Sequence, residues 1–152
     1  MTFLRIIRYY IVDTIYNNIN TFFSEVLNDL PCQADTRAYI ISIFSKYKKA
    51  DFDLSKDSIS LVYSDAILKQ DFHAFQTIGD YIFFTNTVVP EFLHNASIDY
   101  YQTIGRLSYH SCYKLINKQW KLFDELSERF NPLSNRAKRL LDKANIKISH
   151  DV

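Results

Sequence analysis

Glycine use constrains this chain more than any other feature. Only two glycines occur in 152 residues, and both close the same tetrapeptide, Gln76-Thr77-Ile78-Gly79 and Gln102-Thr103-Ile104-Gly105. Both copies lie in segments whose apolar spacing reads as helix. In a helix interior glycine costs about 1 kcal/mol relative to alanine. A chain that keeps glycine out of its turns and places both copies where they are locally unfavourable needs them for contact. With no Cβ, a helix can approach a neighbour closely. The flanks 72–84 and 98–109 share little beyond aromatic residues, so the match reads as a common packing role and not as a duplication.

No run combines strand alternation with hairpin signals. The expectation is an all-α fold, one irregular bundle over residues 1–152 with about six to eight helices. Apolar residues from Phe3 to Leu30 recur every three or four positions. As one straight helix they would span about 40 Å. Asn17, Asn18 and Asn20 are poor interior residues and mark a bend or break, and Pro31 marks the end. Asp35 or Thr36 is placed to cap a second helix, rich in lysine at its last turn (Lys46, Lys48, Lys49). Asp57 or Ser58 opens a third. Asp71 caps a fourth, Pro90 starts a short one, and Ser97 caps a long helix running through Trp120 toward Phe130. Asn131-Pro132 breaks it, and Ser134 caps a basic C-terminal helix over 132–152.

The net charge of +1 gives no global attraction to nucleic acid or anionic lipid. Arg136, Lys138, Arg139, Lys143 and Lys147 give the last helix a basic character that suits phosphate contact, but a solvated face explains them as well, and nucleic-acid binding is not the expectation. Cys32 and Cys112 read as reduced thiols. Arg5 and Arg8 interrupt the N-terminal apolar residues, unlike a secretory signal, and no stretch reaches the roughly 18–20 apolar residues of a membrane span. A cytoplasmic location is expected. The N-terminal stripe suits a protein partner or a homodimer seam better than a membrane surface.

Chemistry-bearing motifs are sparse. Glu91-Phe92-Leu93-His94 is a Glu-x-x-His pair, but carboxylate-bridged di-iron bundles need two such pairs and two more glutamates. His110 and Cys112, two apart on a helix, cannot face one metal together. No metal and no cofactor, haem included, is expected, and no nucleophile elbow or phosphate loop is present.

Gly79-Asp80, Phe83-Phe84, Pro90-Glu91, Asp99-Tyr100-Tyr101, Gly105-Arg106 and Tyr109 together resemble a pattern in uncharacterised bacterial all-helical proteins. There a Gly-Asp helix leads through a Phe-Pro turn into an Asp-Tyr-Tyr helix with an internal glycine. The resemblance implies a helical scaffold in which Gly79 and Gly105 matter together. It implies no activity or ligand.

The resulting reading leans away from an enzyme. It is a helical interaction or adaptor protein, its aromatic residues (12 Phe, 11 Tyr) suited to large contacts. The alternative is a small-molecule-binding protein or enzyme with an aromatic-lined pocket, its polar groups supplied by Asp80, Tyr100, Tyr101, Arg106, Tyr109 and His110. Gly79 and Gly105 would allow two helices to cross closely, and Asp80 and Arg106, each following a glycine, are candidates for an ion pair there.

Overall fold

The computed structural model describes residues 19–47, 56–88 and 98–151. Among them are seven helices and no strand: α1 (Ile19–Val26), α2 (Ala34–Tyr47), α3 (Lys56–Lys69), α4 (Phe72–Val88), α5 (Ile98–Leu115), α6 (Lys121–Glu128) and α7 (Phe130–Asp151). The fold is all-α. Outside the described residues lie the stripe from Phe3 to Asn18, Lys48, Lys49, Pro90, the Glu91/His94 pair and Ser97. Among the described residues no helix is long and apolar enough to cross a membrane.

The core is aromatic at its centre. Phe22, Phe23, Phe44, Phe75, Phe83, Phe123 and Phe130 are all fully buried. They meet largely edge to face, as Phe83 and Phe130 do at 5.4 Å and 87°, the arrangement their quadrupoles favour.

α4 and α5 form the central antiparallel pair. Phe72 lies opposite Cys112, Gly79 opposite Tyr109, Ile82 opposite Gly105 and Asn86 opposite Gln102. Residue numbers thus fall along one helix as they rise along the other. The two glycines hold this pair together in a particular way. The close neighbour at each is an inserted side chain and not the facing backbone. A Cβ on Gly105 would stand 2.7 Å from Phe130 Cζ and 3.1 Å from Ile82 Cγ2.

Several boundaries differ from the sequence expectations, each for a local reason. α1 ends at Val26, ahead of Pro31, because residues 27–32 fold into a turn with Leu30 N–H on the Leu27 carbonyl at 3.1 Å. The Arg37 guanidinium secures that turn by donating to the carbonyls of Leu30 (3.4 Å) and Cys32 (3.2 Å). The long helix toward Phe130 is interrupted. α5 stops at Leu115 because Asn117 and Lys118 adopt left-handed backbone (φ 54° and 61°). Lys118 N–H reaches back to the Tyr113 carbonyl at 2.9 Å, the closure that usually uses glycine. Gln70 (φ 51°) ends α3 in the same way, with Asp71 N–H on the Ala66 carbonyl at 3.2 Å. Pro132 does not break a helix. It sits in the first turn of α7, where its missing N–H has no intrahelical partner to lose. Ser134 is therefore inside α7 and buried, not a cap. Asp71 does cap α4, accepting from Ala74 N–H at 3.3 Å.

Two opposite glycine substitutions test this account. Lys118→Gly relieves a left-handed lysine and should raise stability by about 0.5–1 kcal/mol. Gly105→Ala, which in an open helix would stabilise by a similar amount, should instead lower it by about 1–3 kcal/mol, because Phe130 is fully buried and cannot yield. Thermal or urea melting of the two variants beside the parent decides. A stabilised Gly105→Ala protein would refute close packing there.

Candidate functional site

The candidate site forms where α2, α4 and α5 meet. α4 carries Gln76, Gly79 and Asp80 on one side, since residues three and four apart share a helix face. Gly79 leaves an open socket on that side. Tyr109 of α5 fills it, with its Cε1 only 2.8 Å from where a Gly79 Cβ would be. Seated there, the phenol donates to Asp80 Oδ1 at 2.8 Å. Tyr39 of α2 donates to the same carboxylate, 2.8 Å from Oδ1 and 3.0 Å from Oδ2. The Gln76 amide donates to the Tyr39 oxygen at 2.9 Å. One carboxylate thus joins three helices.

The electrostatics follow from burial. Asp80 is only 5% exposed. Loss of water pushes its pKa up to about 6, although the hydrogen bonds from Tyr109 and Tyr39 and the charge of Lys46 act in the opposite direction. Burial likewise raises the Tyr39 phenol, aided by the Asp80 charge, so it stays a donor. Cys112, buried one turn beyond Tyr109, is raised by burial and by Asp80, and its thiol donates to the Phe72 carbonyl at 3.7 Å.

A second polar network lies further along the same helix pair. Asn86 donates to Ser134 Oγ at 2.9 Å, and Thr87 Oγ1 lies 2.7 Å from that oxygen. Gln102 donates to Asn86 Oδ1 at 3.2 Å. The two identical tetrapeptides therefore behave alike. In each, the glutamine enters a polar network, the isoleucine is buried and the glycine receives a ring.

Of the six polar residues singled out from sequence, the structure brings Asp80 and Tyr109 together and separates the rest. Tyr101 is buried, and Arg106 and His110 are exposed. Tyr100 is exposed, with its hydroxyl 2.9 Å from Ser60 Oγ. The Asp80–Arg106 ion pair does not form. Following a glycine places both residues at the helix pair, but Asp80 turns inward onto two tyrosines while Arg106 stays at the surface. Sequence reasoning missed Tyr39 and Gln76. Gln76 sits one helical turn before Asp80, a spacing that signals a shared face. Tyr39 has no comparable mark beyond lying beside the buried stripe of Thr36, Ile40 and Ile43.

Among the described residues no group of three or more His, Cys, Asp or Glu side chains is placed to hold a metal ion. Two surface hollows of described residues, of about 420 and 490 Å³, contain no member of the Asp80 cluster. A carboxylate with a near-neutral pKa beside two phenols has the makings of acid–base chemistry, but here those groups are fully engaged in holding helices. In comparisons with protein-family models, curated proteins and solved structures, nothing matches the chain.

The raised Asp80 pKa makes a signed prediction. The native state binds this proton more tightly than the unfolded chain, whose aspartate titrates near 3.8. Asp80 therefore contributes stability that is complete below that value and is lost as the pH rises through about 6. The stability difference between the parent and Asp80→Asn should shift against the parent between acid and neutral pH, by on the order of 3 kcal/mol. Denaturant melts of both proteins across that range measure it, and a flat difference would show that Asp80 titrates normally.

Proposed function

We propose that the chain is a non-catalytic helical interaction protein of the cytoplasm, which docks a protein partner or a second copy of itself on the outer face of α3. The observation that carries this reading is the exposure of Leu61 (71%) and Leu68 (84%). They lie seven residues apart and so share one face. A single exposed leucine means little. α3, however, already commits its inner side to the core through Ile59, Ala66, Val62 and Tyr63. A helix apolar on both sides is built to be covered on both. Ile67 is also partly exposed, and Tyr100 of α5 extends the surface through its contact with Ser60. The pocket alternative has less support, because four of its six polar residues stand apart from Asp80 and Tyr109.

The test combines light scattering with a crosslinker. Leu61→Glu/Leu68→Glu should leave folding stability within about 0.5 kcal/mol, since both side chains are exposed. If the partner is a second copy, the parent should exceed the 18.0 kDa chain mass at high concentration and the double variant should not. If it is another protein, a photo-crosslinking residue at Ser64, between the leucines, should give a discrete adduct in the producing cell. A monomeric parent that forms no adduct would overturn the reading.

A further inference from the structure

We propose that the hollow between the starts of α2 and α6 is a binding site for a neutral saccharide ring stacked on Trp120. The hollow measures about 420 Å³ and is lined by Gln33, Asp35, Gln119, Trp120, Lys121 and Leu122. That volume suits a ligand of one or two rings. It lies on other helices than the α3 face and does not depend on that reading.

Trp120 is the chain's single tryptophan and is 58% exposed. Its indole lies nearly parallel to the Phe123 ring (17°, centroids 6.3 Å apart). Phe123 is fully buried and held edge-on by Tyr39 (5.5 Å) and Phe72 (5.6 Å). The indole therefore rests on a fixed support while much of its surface stays open. The backbone of one wall is tied to α6 as well. Glu125 of α6 accepts from Gln33 N–H at 3.1 Å, just ahead of α2, and from Arg129 at 2.8 Å. Burial alone would raise the Glu125 pKa, but the hydrogen bonds from Gln33 N–H and Arg129, with the Arg129 charge, hold it below the usual range. A site already held in shape loses less on binding.

The lining selects the class of ligand. It offers two amides, one carboxylate and one ammonium around one aromatic face. An anion would meet Asp35, and a cation would meet Lys121. A purely apolar ring would strip water from four polar side chains and return no hydrogen bonds. A sugar ring presents a C–H face to the indole. Its hydroxyls donate to Asp35 and to the amide oxygens, and accept from Lys121 and the amide nitrogens.

The indole also supplies the readout. Trp120 emission should change saturably with glucose, galactose, mannose, N-acetylglucosamine or the 1,4-linked disaccharides of glucose, at millimolar concentration. Calorimetry on the same proteins should return the same constant. Trp120→Ala should lose the binding heat while still unfolding in one cooperative transition, at a melting temperature lowered only by the lost Phe123 contact. Asp35→Asn, which keeps the shape of the hollow, should weaken binding about five- to tenfold. Leu61→Glu/Leu68→Glu should bind as the parent does, which separates this site from the α3 surface. The assignment falls if the folded parent responds to none of these sugars, if Trp120→Ala binds as well as the parent, or if benzoate, phosphate or guanidinium binds in their place.

Discussion

The contact on which the helix arrangement turns is a phenol seated where a Cβ is missing. Tyr109 reaches Asp80 because Gly79 leaves room for its ring. Once it is there, Asp80 has a donor from α5 and a donor from α2. Aromatic side chains alone can slide past one another with little change in buried area. A carboxylate cannot, because each lost partner leaves a buried charge undersolvated at a cost of about 1–3 kcal/mol or more. The cluster therefore fixes the relative position of α2, α4 and α5 more than it adds net stability.

The same logic recurs along the α4–α5 pair at the second tetrapeptide. Gly105 admits Phe130, and Gln102 joins the network in which Asn86 and Thr87 hold Ser134 of α7. One network ties in α2 and the other ties in α7. The two glycines thus connect the central pair to elements on both sides. Because both are committed to packing, the chain ends α3 and α5 with Gln70, Asn117 and Lys118 in left-handed backbone. Glycine placed in the core and non-glycine residues in left-handed backbone at the turns are two sides of one allocation.

Much of this architecture is legible in the sequence. Apolar spacing marked the helices, Asp71 marked a cap, and the repeated glycines marked close contact. Boundaries were harder where a tertiary contact overrides a local signal. Ser134 reads as a cap but is drawn into a buried network, and Asn117-Lys118 carries no glycine to announce a turn. The site was half legible for a similar reason. Asp80 and Tyr109 stood out because each lies in or beside a glycine motif. Tyr39 did not, since its partner is 41 positions away and no local pattern encodes that distance. Arg106 and His110 looked equivalent to Tyr109 by residue type, and only the rotation of α5 separates them.

Cys112 gives the molecule a built-in clock. Its thiol is fully buried, hydrogen-bonded and raised in pKa by burial and by Asp80, so the folded protein presents almost no thiolate to a reagent. Cys32, half-buried near the α1–α2 turn, is not enclosed in this way. Modification of Cys112 then requires the α4–α5 pair to part, and its rate counts those partings one molecule at a time. The half-buried Cys32, which needs no such parting, supplies the internal reference against which the slow reaction of Cys112 is read.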